Sequence, residues 1–188
     1  MAKVSIIGTG TWGIALGMVL AQNGHDVTAW SALPKEIEAL KESYTCKNLP
    51  GVEIPRSIVF TADLQEACTD KEMLVLSVPS VFTRGVAKQM NPFVKEGQLI
   101  VSVAKGIEEK TLMTMSQQIE EELPMANVAV LSGPSHAEEV SRGIPTTVVA
   151  GAKDRQTAEH IQNLFMSSVF RVYTSPDILG IELGGALK

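Results

Sequence analysis

The sequence predicts an α/β fold, a doubly wound and mostly parallel sheet wrapped by helices. Three observations carry that expectation. Short β-rich runs alternate with helical patterns along nearly the whole chain, a glycine-rich turn joins the first run to the first helix, and no apolar run approaches the length of a membrane span. At 188 residues, 45% of them hydrophobic, the chain can bury one full core.

Taken in order, Lys3-Val4-Ser5-Ile6-Ile7 is a strand closed by Gly8, and helix 12–23 stops at Asn23-Gly24, a left-handed helix end. A second strand at 26–30 leads to a helix at 34–43, and Asn48-Leu49-Pro50-Gly51 with Pro55 makes 44–56 a loop. Strand 57–61 and helix 63–69 precede strand 72–78, which Val78-Pro79-Ser80 ends before helix 81–90. Strand 98–103 gives way at Ala104-Lys105-Gly106 to a helix expected at 111–123. Strand 127–131 leads through Ser132-Gly133-Pro134 to helix 136–142, which a capping box of Ser135 and Glu138 is expected to open. Strand 145–151, helix 154–166 and strand 169–173 complete a domain expected to span 1–174. In 175–188, Ser175 reads as N-cap, Pro176 as first turn and Asp177 as a charge beside the positive end of the dipole. No stop signal follows, so that helix reads as the truncated lead into a further domain absent from the chain.

Composition excludes several classes. A net charge of −5 without any Lys/Arg run argues against a nucleic-acid partner. Cys46 and Cys68 are too far apart for metal-ligand spacing, so no metal is expected and both thiols should be free, as in a reducing compartment. Met1 to Ile7 runs straight into the glycine turn without an apolar signal segment, which makes the cytoplasm the default and membrane insertion unexpected.

Gly8-Thr9-Gly10-Thr11-Trp12-Gly13 is a G-x-G-x-x-G between a strand and an Ala/Leu-rich helix, the fingerprint of a Rossmann-like dinucleotide site. Gly8 permits the tight turn, Gly10 lets the backbone approach a pyrophosphate, and Gly13 lets the helix pack on the strand. An acid holding the ribose 2′-hydroxyl is expected about 20 residues on. Val27-Thr28-Ala29-Trp30-Ser31-Ala32 offers no carboxylate, and Lys35 is the nearest cation, so both NAD and NADP are admissible cofactors.

Ligands of such sheets sit beyond the carboxyl ends of the strands. Val78-Pro79-Ser80, Ala104-Lys105-Gly106 and Ser132-Gly133-Pro134-Ser135-His136 all fall at that edge. Each alone has a structural reading, and together they outline a substrate pocket beside the cofactor. Gly184 and Gly185 precede Lys188 by four and three residues, so the lysine is expected to stretch over a turn bare of side chains, or else the glycines serve close helix packing. His25 and His160 read as surface residues and His136 as a packing residue of the pocket turn.

Together Gly8-Thr9-Gly10-Thr11-Trp12-Gly13, Val78-Pro79-Ser80, Lys105-Gly106-Ile107-Glu108, Leu131-Ser132-Gly133-Pro134-Ser135-His136-Ala137-Glu138-Glu139-Val140 and Glu182-Leu183-Gly184-Gly185-Ala186-Leu187-Lys188 closely resemble bacterial NAD(P)-dependent glycerol-3-phosphate dehydrogenase. The resemblance implies reversible reduction of dihydroxyacetone phosphate to sn-glycerol 3-phosphate, the entry to glycerophospholipid synthesis. It implies cofactor contacts from Thr11, Trp12, Lys105 and Ala137, substrate contacts from Lys105, Gly133 and Ser135, and Lys188 as catalytic proton acceptor. Such a lysine needs a cationic neighbour or desolvation to act as a base near neutrality, and Lys105 is the candidate neighbour. The chain departs from the pattern at Ser31-Ala32, where a basic residue or histidine is common, and at Asn48, where an aromatic is common. The family continues past Lys188 into an all-helical substrate domain. The isolated N-terminal domain is therefore expected to lack turnover, and a homodimer is an expectation only for the full-length protein. The rival readings are a related β-hydroxyacid dehydrogenase or ketopantoate-type reductase, and a nucleotide-binding module without catalysis.

Overall fold

Buried runs alternating with amphipathic helices build a single eight-stranded sheet, seen in a computed structural model that describes residues 1–187. Lys188 lies outside the described residues. The strands are β1 (Lys3–Ile7), β2 (Asp26–Trp30), β3 (Val59–Thr61), β4 (Met73–Leu76), β5 (Leu99–Ser102), β6 (Asn127–Ser132), β7 (Thr146–Gly151) and β8 (Phe170–Ser175). The helices are α1 (Thr11–Gln22), α2 (Pro34–Ser43), α3 (Leu64–Cys68), α4 (Thr83–Met90), α5 (Met115–Glu122), α6 (Ala137–Val140), α7 (Arg155–Phe165) and α8 (Ile178–Ala186). The strand order is β3-β2-β1-β4-β5-β6-β7-β8. Neighbours pair in parallel except β6 and β7, so the last two strands run against the other six.

Central strands covered on both faces must be apolar throughout, and β4, Met73-Leu74-Val75-Leu76, is buried at every position. Alternation then divides the core in two: Ile6 faces a cluster with Ile14, Leu16, Ile161 and Phe165, and Ile7 faces one with Cys68, Val86, Met90 and Ile119. Helices α1 and α7 thus cover one face while α3, α4 and α5 cover the other.

The expected stop of α1 is present, with Gly24 at φ 83° and Asn23 Nδ2 donating to the Leu164 carbonyl at 2.9 Å. Helix α4 begins at Thr83 rather than 81, after a 3-10 turn over Ser80–Phe82, and three further helix starts differ from expectation in how they are built. Helix α5 begins at Met115 because Leu112 is left-handed at φ 61° and Ile107 bridges to Thr114, whose hydroxyl and Gln117 form the capping box. Ser135 and Glu138 form no such box: α6 has His136 at its N-cap without a side-chain bond, and Ser135 Oγ turns back to the Gly133 carbonyl at 3.4 Å. The N-cap of α8 is Asp177, which accepts from Gly180 N at 2.9 Å, because Ser175 remains in β8 opposite Gly151. His25 is a half-buried clasp rather than a surface residue, accepting from Ala2 N at 3.2 Å and lying 3.1 Å from the Leu164 carbonyl.

Candidate functional site

The parallel strands deliver their carboxyl ends to one edge, and the glycine turn leaves β1 there. Gly8 sits at φ 120° with its N–H donating to Trp30 O at 2.9 Å, and a Cβ on it would lie 2.8 Å from Val78 N. A Cβ on Gly13 would lie 2.1 Å from the Gly8 carbonyl and 2.5 Å from Ser77 Oγ. Packing therefore dictates both glycines. Gly10 differs: its backbone is ordinary, at φ −59° and ψ 167°, and a Cβ there would meet nothing within 4 Å. It is the N-cap of α1, which has no side-chain cap and no acid in its first turn. The helix thus presents uncapped N–H groups and the positive end of its dipole to open space, a ready anion cradle. Buried in this turn, Thr9 Oγ1 and Trp12 Nε1 find no hydrogen-bond partner among the described residues.

Two clefts flank the turn. One, about 510 Å³, is lined by Thr11 and Trp12 together with Pro79, Lys105, Ser135 and Ala137 among others. The other, about 560 Å³, runs between Gly10, the end of β2 and the start of α4. In the first, Lys105 Nζ donates to Gly133 O at 3.0 Å, and the same carbonyl accepts from Ser135 N at 2.9 Å. The structure so brings Lys105 to the turn of Gly133 and Ser135, although Gly133 lies 28 residues further along the chain. Gly106, at φ 145°, lets the loop turn against Ser80, whose Oγ would be 3.1 Å from a Cβ there.

Two polar clamps fix this loop, and neither is visible as a motif. Arg84 on α4 forks Glu108 at 2.9 and 2.8 Å and also pairs with Glu121 and Glu122. The Arg84 hydrogen bonds, then that of Thr111, hold the Glu108 carboxyl down at about 2, and the three acids push the Arg84 guanidinium further up. Glu182 on α8, buried, accepts from Ser116 N at 2.8 Å and Ser116 Oγ at 2.6 Å at the N-terminus of α5. It ties α8 to the segment that bridges back to Ile107. Helix α8 then crosses Ser132, where a Cβ on Gly185 would lie 2.7 Å from Ser132 Oγ, whereas one on Gly184 would meet nothing within 4 Å. The expected lysine over these glycines is Lys188, outside the described residues.

The sequence profile described as "NAD-dependent glycerol-3-phosphate dehydrogenase N-terminus" matches residues 3–158. The chain belongs to this family. It is 62% identical to a glycerol-3-phosphate dehydrogenase [NAD(P)+] of Agathobacter rectalis, covering 100% of the chain and 56% of that protein. A Fusobacterium nucleatum protein of the same name is 53% identical over 100% of the chain and 57% of its own length. Among solved structures, glycerol-3-phosphate dehydrogenase of Coxiella burnetii superposes with a TM-score of 0.91 at 28% identity, over 98% of the chain and 57% of that structure. The chain thus spans a little over half the length of the relatives it matches.

Within the family fold, other sequence expectations find their places. Cys46 and Cys68 are free, and burial pushes the Cys68 thiol up to about 12. His136, read from the sequence as a packing residue, is instead exposed at the mouth of the first cleft because it sits at the N-cap of the short α6, and His160 pairs with Glu72 at 2.9 Å at the opposite end of the sheet. Among the described residues no group of three His, Cys, Asp or Glu could hold a metal, and no helix is long and apolar enough to cross a membrane. Sequence reasoning missed one acid. Glu36, in the first turn of α2, accepts from Ser31 Oγ at 2.6 Å and lines the second cleft.

Proposed function

We propose that the chain is the cofactor-binding half, residues 1–174 with the lead-in helix 175–188, of an NAD(P)-dependent sn-glycerol-3-phosphate dehydrogenase. The observation that supports it most directly is Gly10, a glycine that neither backbone conformation nor packing demands, at the uncapped N-terminus of α1. Its missing side chain keeps space for a pyrophosphate, and the N–H groups behind it hold that anion.

A bound NAD(P)H supplies a hydride at nicotinamide C4 for the C2 carbonyl of dihydroxyacetone phosphate. Thr11, Trp12 and Ala137 line the cofactor side of the first cleft, and Pro79 and Ser80 wall it. Lys105, held by Gly133 O, brings a positive charge to the substrate side, where Gly133 and Ser135 contribute polar groups. Lys188 is assigned the proton on the C2 oxygen, taken up in one direction and released in the other. Lys105 is the candidate cation for lowering that amine's affinity for its proton. The two free thiols fit the reducing cytoplasm.

The test has two parts. Calorimetric titration of the 188-residue chain with NADH and NADPH should show saturable binding, and silence with both would refute the cofactor assignment. Dihydroxyacetone-phosphate-dependent NAD(P)H oxidation should be absent from this chain and present once it is extended to its relatives' length. There, Lys188→Met should lower kcat by about 100-fold or more with little change in cofactor affinity. Near-parental kcat in that variant would remove Lys188 from the mechanism.

A further inference from the structure

The second cleft carries information about the cofactor's adenosine end. Strand β2 ends at Trp30, stitched to the glycine turn through Gly8 N. Beyond it Ser31 is buried, accepts from Leu33 N at 3.2 Å and donates through Oγ to Glu36 Oε2 at 2.6 Å. Pro34 starts α2 immediately, so Glu36 falls in its first turn and is drawn back over the strand end. The lining comprises Gly8, Thr9, Gly10, Trp30 to Leu33 and Glu36, faced by apolar residues such as Val78, Pro79 and Phe82. Glu36 is the one charged side chain in that lining; neighbouring Lys35 is exposed and not part of it. Thr9 Oγ1, buried in the same turn, has no partner among the described residues.

We infer that Glu36, oriented by Ser31, selects NAD(H) over NADP(H) by accepting from the ribose 2′-hydroxyl and repelling a 2′-phosphate. The inference rests on the cofactor-binding reading above. The acid that this class of site takes from the end of its second strand arrives here from the next helix, in the same neighbourhood by a different route. One counter-effect has to be weighed, since the N-terminus of α2 attracts anions. Its dipole amounts to roughly +0.5 charge, whereas the carboxylate brings a full negative charge that a 2′-phosphate of about −2 must approach. Repulsion wins, and no lining cation offsets it.

The test uses calorimetric titration of the chain with NADH and with NADPH. NADH should bind about tenfold tighter or more, the scale of one unmatched charge contact. Glu36→Gln keeps the size and an acceptor for Ser31 while removing the charge, so NADPH affinity should rise about tenfold and NADH affinity fall a few-fold. Equal affinities in the parent, or an unchanged ratio in a variant that melts like the parent, would overturn the inference and leave the cofactor site standing. Binding of neither cofactor would overturn both. Should the variant not fold, ionic strength decides with the parent alone. Screening must narrow the gap by favouring NADPH, and a gap that widens or stays fixed with salt overturns the inference.

Discussion

Gly10→Ala separates a ligand's demand from the fold's. At φ −59° and ψ 167° alanine fits the backbone, and its methyl group would meet nothing within 4 Å. Restricting the unfolded chain favours the variant by about 0.4–1 kcal/mol, and alanine's poorer N-cap behaviour offsets that by a similar amount. The net change should stay within about 1 kcal/mol, which moves Tm by no more than about 4 °C for a chain of this size. The methyl group does, however, occupy the approach to the α1 N–H groups. Losing one hydrogen bond between an N–H and a charged phosphate, about 1.5–3 kcal/mol, weakens NADH binding by about 10- to 100-fold. Calorimetric titration and a thermal melt of the same preparation check both halves. Unchanged NADH affinity would show that no phosphate approaches Gly10, and a Tm loss well beyond 4 °C would show that the fold itself needs the glycine.

Gly13→Ala should behave oppositely: its Cβ would lie 2.1 Å from the Gly8 carbonyl, so α1 must shift and a melt should register a loss of about 1–3 kcal/mol or more. Glu182→Gln places an amide against the Ser116 donors and should lower stability by about 1.5–3 kcal/mol, read as a fall in denaturation midpoint; an unchanged midpoint would remove Glu182 as the tie between α8 and α5. The Glu108 carboxyl is held at about 2 from an ordinary 4.5, so its contribution is full above 4.5 and lost as pH falls toward 2. Protection of the 106–114 amides, measured against their intrinsic exchange rate, should therefore fall through that window in the parent, and Glu108→Gln should flatten the dependence.

The sheet was legible because its signals are local: apolar runs bounded by Gly and Pro, and a glycine fingerprint whose spacing is itself a turn geometry. Misplaced helix starts trace to rivals of comparable strength. Ser135 could cap α6, but its N–H and hydroxyl both turn to Gly133 O, the carbonyl that also receives Lys105. Ser175 could cap α8, but pairing opposite Gly151 keeps it extended and passes the cap to Asp177. Of the site, the turns carrying Lys105, Gly133 and Ser135 could be read from their position after successive strands. The clamps that hold them could not, because Arg84 with Glu108 and Ser116 with Glu182 join segments 24 and 66 residues apart. Glu36 escaped for a different reason. An acid is expected at the end of the strand, whereas a proline-started helix brings the carboxylate back one turn later.

The two glycines near the end of α8 tell packing from open space. Gly184 adjoins a cleft of about 270 Å³ lined by Ser132, Gly133, Pro134 and Gly180 among others, and a Cβ there would touch nothing. Gly184→Ala should therefore recover the interior-helix penalty of glycine, about 0.8–1 kcal/mol, and raise Tm by about 2–4 °C. Gly185→Ala has the same helical gain, but its methyl group would lie 2.7 Å from Ser132 Oγ, and the overpacking cost of about 1–3 kcal/mol cancels or exceeds it. Ser132 Oγ is buried without a partner among the described residues, so removing it breaks no bond seen there. Ser132→Ala should thus rescue Gly185→Ala, and the double variant should melt above the Ser132→Ala single by about the Gly184→Ala increment. Additive effects without rescue would mean that Gly185 is not set against Ser132. A destabilised Gly184→Ala would mean that the face above the cleft is filled, leaving no open floor beside the end of α8 for a substrate to use.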